Sequence, residues 1–132
     1  MNKKTIILIL SILVIAQIVC CASYPFKQPK FEQKAHYKEA DYVNAYCKGI
    51  VEYELPDKTR VDCLTDDYAI EFDWAKKWAE SIGQSLYYAK MTGKKPAVAI
   101  IIKKPTDIIY IERIKKVNAG IKIFEIKSIG YK

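Results

Sequence analysis

Arg60-Val61-Asp62-Cys63-Leu64-Thr65, Asp66-Asp67, and Ala69-Ile70-Glu71-Phe72-Asp73-Trp74 form the stretch that decides the fold. Two runs rich in β-branched and aromatic residues flank a two-aspartate turn, which predicts a pair of adjacent strands. Upstream, Ile50-Val51-Glu52-Tyr53-Glu54-Leu55 alternates in the same way and leads into the turn Pro56-Asp57-Lys58-Thr59, so the three strands form a meander. Further upstream, Tyr42, Val43 and Tyr46 recur at helical spacing over residues 35–46, with Gly49 as a stop. Downstream, Trp78, Ile82, Leu86 and Ala89 form one apolar stripe on a helix predicted over Lys76–Met91, which Gly93 ends. Pro96 opens Ala97–Ile102, a run without polar alternation that implies a strand buried on both faces. A helix over Thr106–Val117 and a strand over Ile121–Ile126 complete the chain. The order of helix, three strands, helix, strand, helix and strand predicts an α/β domain with a mixed central sheet flanked by helices.

The chemistry concentrates in the quoted stretch. Carboxylates inside strands are unfavourable in propensity and in burial unless they are solvated or bind something. Asp62 lies mid-strand, and Glu71 and Asp73, two apart, share one face of the next strand. A short turn joins the two strands, so Asp62 and Glu71 approach each other. Carboxylates gathered in this way repel, and a divalent cation relieves the repulsion. An oxygen ligand set with an incomplete protein shell suits Mg²⁺ or Mn²⁺. Glu52 is the upstream acid that assists, with Glu54 as the alternative. On the following helix Lys77, Gln84 and Tyr88 fall on nearly one face, seven and then four residues apart. A lysine there stabilises developing negative charge, and Gln84 and Tyr88 offer hydrogen bonds to phosphate oxygens or to the acids.

Glu52, Arg60-Val61-Asp62, Glu71-Phe72-Asp73 and Gln84-Ser85-Leu86-Tyr87-Tyr88, taken together, resemble the PD-(D/E)XK nuclease superfamily. The Gln-x-x-x-Tyr spacing is similar to its RecB-type branch. The resemblance spans residues 35–127. It implies a restriction-endonuclease-like α-βββ-α-β core, Asp62 and Glu71 as metal ligands, and nucleic acid, DNA or RNA, as substrate. The family's lysine stands two residues after the second acid, where this chain has Asp73. Such a lysine migrates to the following helix in some members, and Lys77 fills the role here, since Lys76 points about 100° away. The function that follows is metal-dependent hydrolysis of phosphodiester bonds. The alternatives are a nuclease-fold binding module without turnover, or an envelope lipoprotein.

The N-terminus is read separately from the domain. Lys3 and Lys4 precede an apolar run over Thr5–Val19 that ends in Cys20-Cys21-Ala22-Ser23, the pattern of a secretory signal peptide over residues 1–22. The alternatives are an uncleaved anchor or a lipid tether at Cys21. Residues 23–34, with Pro25 and Pro29, read as an extended arm before a single domain over 35–132, and the location that follows is secreted or periplasmic, or membrane-anchored. Removing residues 1–22 takes away two lysines and no acid, leaving 20 basic against 15 acidic residues, or +5, which favours a polyanionic partner. The chain contains 1 His, His36, so no several-histidine zinc site exists and a serine–histidine triad has no nucleophile elbow to use. Beyond the signal region only Cys47 and Cys63 remain; they either pair as one disulfide or sit as buried thiols.

Overall fold

The computed structural model describes residues 29–34, 36–117 and 120–132. The signal segment over 1–22 and most of the arm lie outside these residues. Among the described residues no helix is long and apolar enough to cross a membrane. The elements are α1 (Glu39–Tyr46), β1 (Ile50–Glu54), β2 (Arg60–Leu64), β3 (Tyr68–Trp74), α2 (Trp78–Thr92), β4 (Lys95–Ile102), α3 (Ile108–Val117) and β5 (Lys122–Lys127). They build one mixed sheet in the order β1-β2-β3-β4-β5. The first three strands pair antiparallel, whereas β4 runs parallel to β3 and β5 parallel to β4. The expected α/β class and element order are present.

β4 shows why the sheet is covered on two sides. Ala97, Ala99 and Ile101 pack with Tyr42 and Val43 of α1, together with Cys63, Ile70 and Phe72. Val98, Ile100 and Ile102 pack with Ile82 of α2 and with Ile111 and Ile114 of α3. The period-two alternation of the strand thus divides an unbroken apolar run between two cores. Glu71 and Asp73 alternate with Ile70 and Phe72, so the fold that buries the latter on the α1 face turns the acids away from it.

Three details differ from the sequence reading. α1 starts at Glu39 rather than at residue 35, because the Asp41 carboxylate accepts the Lys38 backbone N–H at 2.8 Å and fixes the first turn there. α2 is preceded by a 3₁₀ turn, Ala75–Lys77, and its buried face is Ser81, Ile82, Ser85, Tyr88 and Ala89. Leu86 is 39% exposed, so it does not belong to the stripe. Both serines bury cheaply because their hydroxyls donate to helix carbonyls, Ser81 to Trp78 and Ser85 to Ile82. Finally, Trp74 and Trp78 are half-buried flanks of the two cores rather than their centres.

Cys47 and Cys63 form a disulfide, which ties the end of α1 to β2. Gly49 follows at a close approach: a Cβ there would lie 2.0 Å from the Leu64 carbonyl oxygen, so only glycine lets the chain turn from α1 into β1.

Candidate functional site

A cleft of about 270 Å³ opens between the start of α1, β1–β3 and the start of α2. Its walls carry Glu52, Asp62, Glu71, Asp73, Lys77 and Gln84 from the sequence reading, together with Glu39 and Glu80. Tyr88 does not line it.

The site begins where β2 and β3 stop pairing. Their ladder joins Cys63 to Ile70 and Leu64 to Ala69. At the next position the Asp62 side chain takes over, and its Oδ2 accepts the Phe72 backbone N–H at 2.8 Å. The substitution of a carboxylate for a main-chain acceptor keeps that N–H satisfied while holding the acid beside Glu71. Burial pushes the Asp62 carboxyl up to about 6, against the pull of the Phe72 N–H.

Glu71 is strongly perturbed. It is 6% exposed, and its Oε2 is a buried oxygen with no hydrogen-bond partner. Burial, and then the charges of Asp62 and Asp73, push its carboxyl up to about 9. Asp73 is 2% exposed and is pushed up to about 7, first by burial and then by its hydrogen bond with Glu39; Lys77 and the Trp74 N–H act the other way. Its Oδ1 accepts the Trp74 N–H at 2.8 Å.

Lys77 enters from the turn before α2. Its Nζ stands 3.4 Å from Asp73 Oδ1 and 3.8 Å from Glu39 Oε1. Asp73 and Glu39, in that order, hold its ammonium above the ordinary lysine range. Lys76 is exposed and does not line the cleft. Gln84 lines the cleft two turns along α2 and is hydrogen-bonded to Tyr88. The Tyr88 ring packs with Leu55, Val61 and Ala69. Burial raises the Tyr88 hydroxyl, with the Gln84 hydrogen bond opposing. Tyr88 therefore stands behind the wall and fixes Gln84 rather than facing the cleft.

Glu52 sits at the outer wall with a positive φ of 53° and pairs with Arg60 Nε at 3.2 Å. Glu54 pairs with Lys58 at 2.8 Å and does not line the cleft. The sequence reading missed two acids. Glu39 lies four residues before the buried Val43, so the inward face of α1 was the available signal. Glu80 lies three residues after Lys77 and four before Gln84, on the face already drawn. The part Glu39 plays beside Asp73 and Lys77 depends on α1 being placed against β3.

The arrangement gathers acids that are costly as bare anions, so it takes either protons or a cation. Among the described residues no three or more His, Cys, Asp or Glu side chains form a ready metal-binding group. Asp62 and the unpartnered Glu71 oxygen still fit a hard cation that keeps most of its water, as Mg²⁺ does with one or two carboxylates. No family model matches the chain, and no curated protein or solved structure matches it significantly.

Proposed function

We propose that this chain is an exported, metal-dependent nuclease of the PD-(D/E)XK type that hydrolyses phosphodiester bonds in DNA or RNA. The observation that carries the reading is the Glu71 carboxylate, buried with a free oxygen beside Asp62 in a cleft that Lys77 also enters. The order α1-β1-β2-β3-α2-β4 supports a restriction-endonuclease-like core, with the acids on the central antiparallel pair.

Asp62 and Glu71 would hold Mg²⁺ or Mn²⁺. The chemistry that such a cation supplies when bound is neutralisation of charge at a phosphoryl oxygen and acidification of water. The residues of the chain do the rest. Lys77, drawn toward Asp73 and Glu39, donates to the negative charge that builds on the phosphorus centre. Gln84, held by Tyr88, offers its amide to a phosphate oxygen. Asp73, with Glu39, orients the lysine that replaces the one expected at its own position.

A second reading, a nuclease-fold binding module without turnover, has one observation in its favour: Lys77 is already engaged by two acids. Incubating the purified chain with DNA and RNA, with and without Mg²⁺ or Mn²⁺, separates them. Cation-dependent cleavage that Glu71→Gln abolishes supports the nuclease. Cation-dependent binding without cleavage supports the module.

A further inference from the structure

Among the described residues the face of the sheet opposite the acids is only partly covered. α1 is eight residues long, and α2 and α3 pack on the other side. Beside α1 an open groove of about 440 Å³ runs across β3, β4 and β5. Ile70, Phe72, Ala99 and Ile126 give it an apolar floor, and Tyr68 and Phe124 stand at its side, edge to face at 6.1 Å.

β5 is the outer strand of the sheet, so its outward N–H and C=O groups have no strand partner among the described residues. Its register with β4 is unbroken from Lys122 to Lys127. The other edge, β1, is blunted by the positive φ of Glu52 and by two ion pairs. A regular edge that no described strand pairs, beside an apolar groove, is the geometry of strand addition: main-chain hydrogen bonds supply affinity, and alternate side chains enter the groove.

Charge narrows the partner. Lys48 and Lys122 line the groove, and the Lys95 ammonium lies over the Tyr68 ring at 5.9 Å. The one acid on the lining, Glu125, alternates with Phe124 and Ile126 and acts electrostatically on Lys115 of α3, on the other face. The chain's own residues 23–28 contain Lys27 and no acid, so they are a poor electrostatic match.

We infer that the groove and the β5 edge bind an extended acidic peptide strand of a partner protein, paired with β5 through its main chain. Its face toward the groove would carry an acid beside Lys122 and apolar side chains beside Phe124 and Ile126. The inference is independent of nuclease activity.

The test is selection of a displayed random twelve-residue peptide library on the full chain, followed by titration of the enriched peptides. Enriched sequences should alternate apolar residues with at least one acid. Binding should fall at least tenfold in both Phe124→Glu and Lys122→Glu, and on placing proline at the centre of the peptide. Lys122 is exposed, so Lys122→Glu keeps the test decisive if Phe124→Glu does not fold. No enrichment, enriched peptides without acids, or unchanged binding in the folded variants would overturn it. So would a homodimer in sedimentation that Lys122→Glu dissociates. Crosslinks from a photo-reactive residue at position 124 to the chain's own residues before Pro29 would overturn it as well.

Discussion

Replacing Glu71 by glutamine removes a carboxyl whose charged form the fold disfavours while keeping the side chain's size. In the folded chain the Glu71 carboxyl is pushed up from its ordinary 4.5 to about 9. A raised value means that the folded state binds a proton which the unfolded state has lost. The stability it contributes is full below about pH 4.5 and disappears as pH rises through 9. Each pH unit in that window removes about 1.4 kcal/mol, so by pH 8 the loss approaches about 5 kcal/mol as an upper bound. That is a large share of the 5–15 kcal/mol that typically holds a domain together. Asp62, at about 6, and Asp73, at about 7, act in the same direction at lower pH. Above pH 7 the remaining slope therefore belongs to Glu71. Urea unfolding in EDTA at pH 5, 7 and 8.5 measures it. The parent should lose stability at every step, whereas Glu71→Gln should be nearly flat above pH 7 and more stable than the parent at pH 8.5. Adding Mn²⁺ at pH 8.5 should rescue the parent alone. Parallel pH profiles for the two proteins, or equal stabilisation by Mn²⁺, would refute the reasoning.

Lys77→Ala should lower phosphodiester cleavage about a hundred- to thousandfold while leaving Mn²⁺ affinity within a few-fold of the parent, and Lys76→Ala should leave turnover unchanged; steady-state rates and calorimetry check both. Reducing the Cys47–Cys63 disulfide, whose partners are 16 residues apart, should cost about 3 kcal/mol, read as a shift of the urea midpoint with and without reductant. Ile82→Ala should cost about 2–5 kcal/mol, whereas Leu86→Ala, at a 39% exposed site, should cost under about 1 kcal/mol in the same assay.

The sequence by itself determined the order of the elements, because each carries its own period. The alternation around Asp62 and Glu71, the unbroken run Ala97–Ile102 and the Gly93 stop are local signals, and local hydrogen bonding and burial answer them directly. The adjacency of the two strands that carry Asp62 and Glu71 was equally legible, since a short turn leaves them little choice but to lie side by side. The phase of α2 was less so. Leu86 reads as core, yet the buried face carries Ser81 and Ser85, which satisfy their hydroxyls within the helix and so can face the sheet. Sequence periodicity weighs side-chain polarity and does not see where a hydroxyl finds its acceptor. Only tertiary structure decided that Glu39, far from Asp73 along the chain, shares its hydrogen bond and its lysine, because that depends on how α1 crosses the sheet. The same docking fixed the partnership of Cys47 with Cys63 and, among the described residues, left a groove open over β3–β5. Contacts between elements are set by the geometry of packing, and residue spacing carries no record of them.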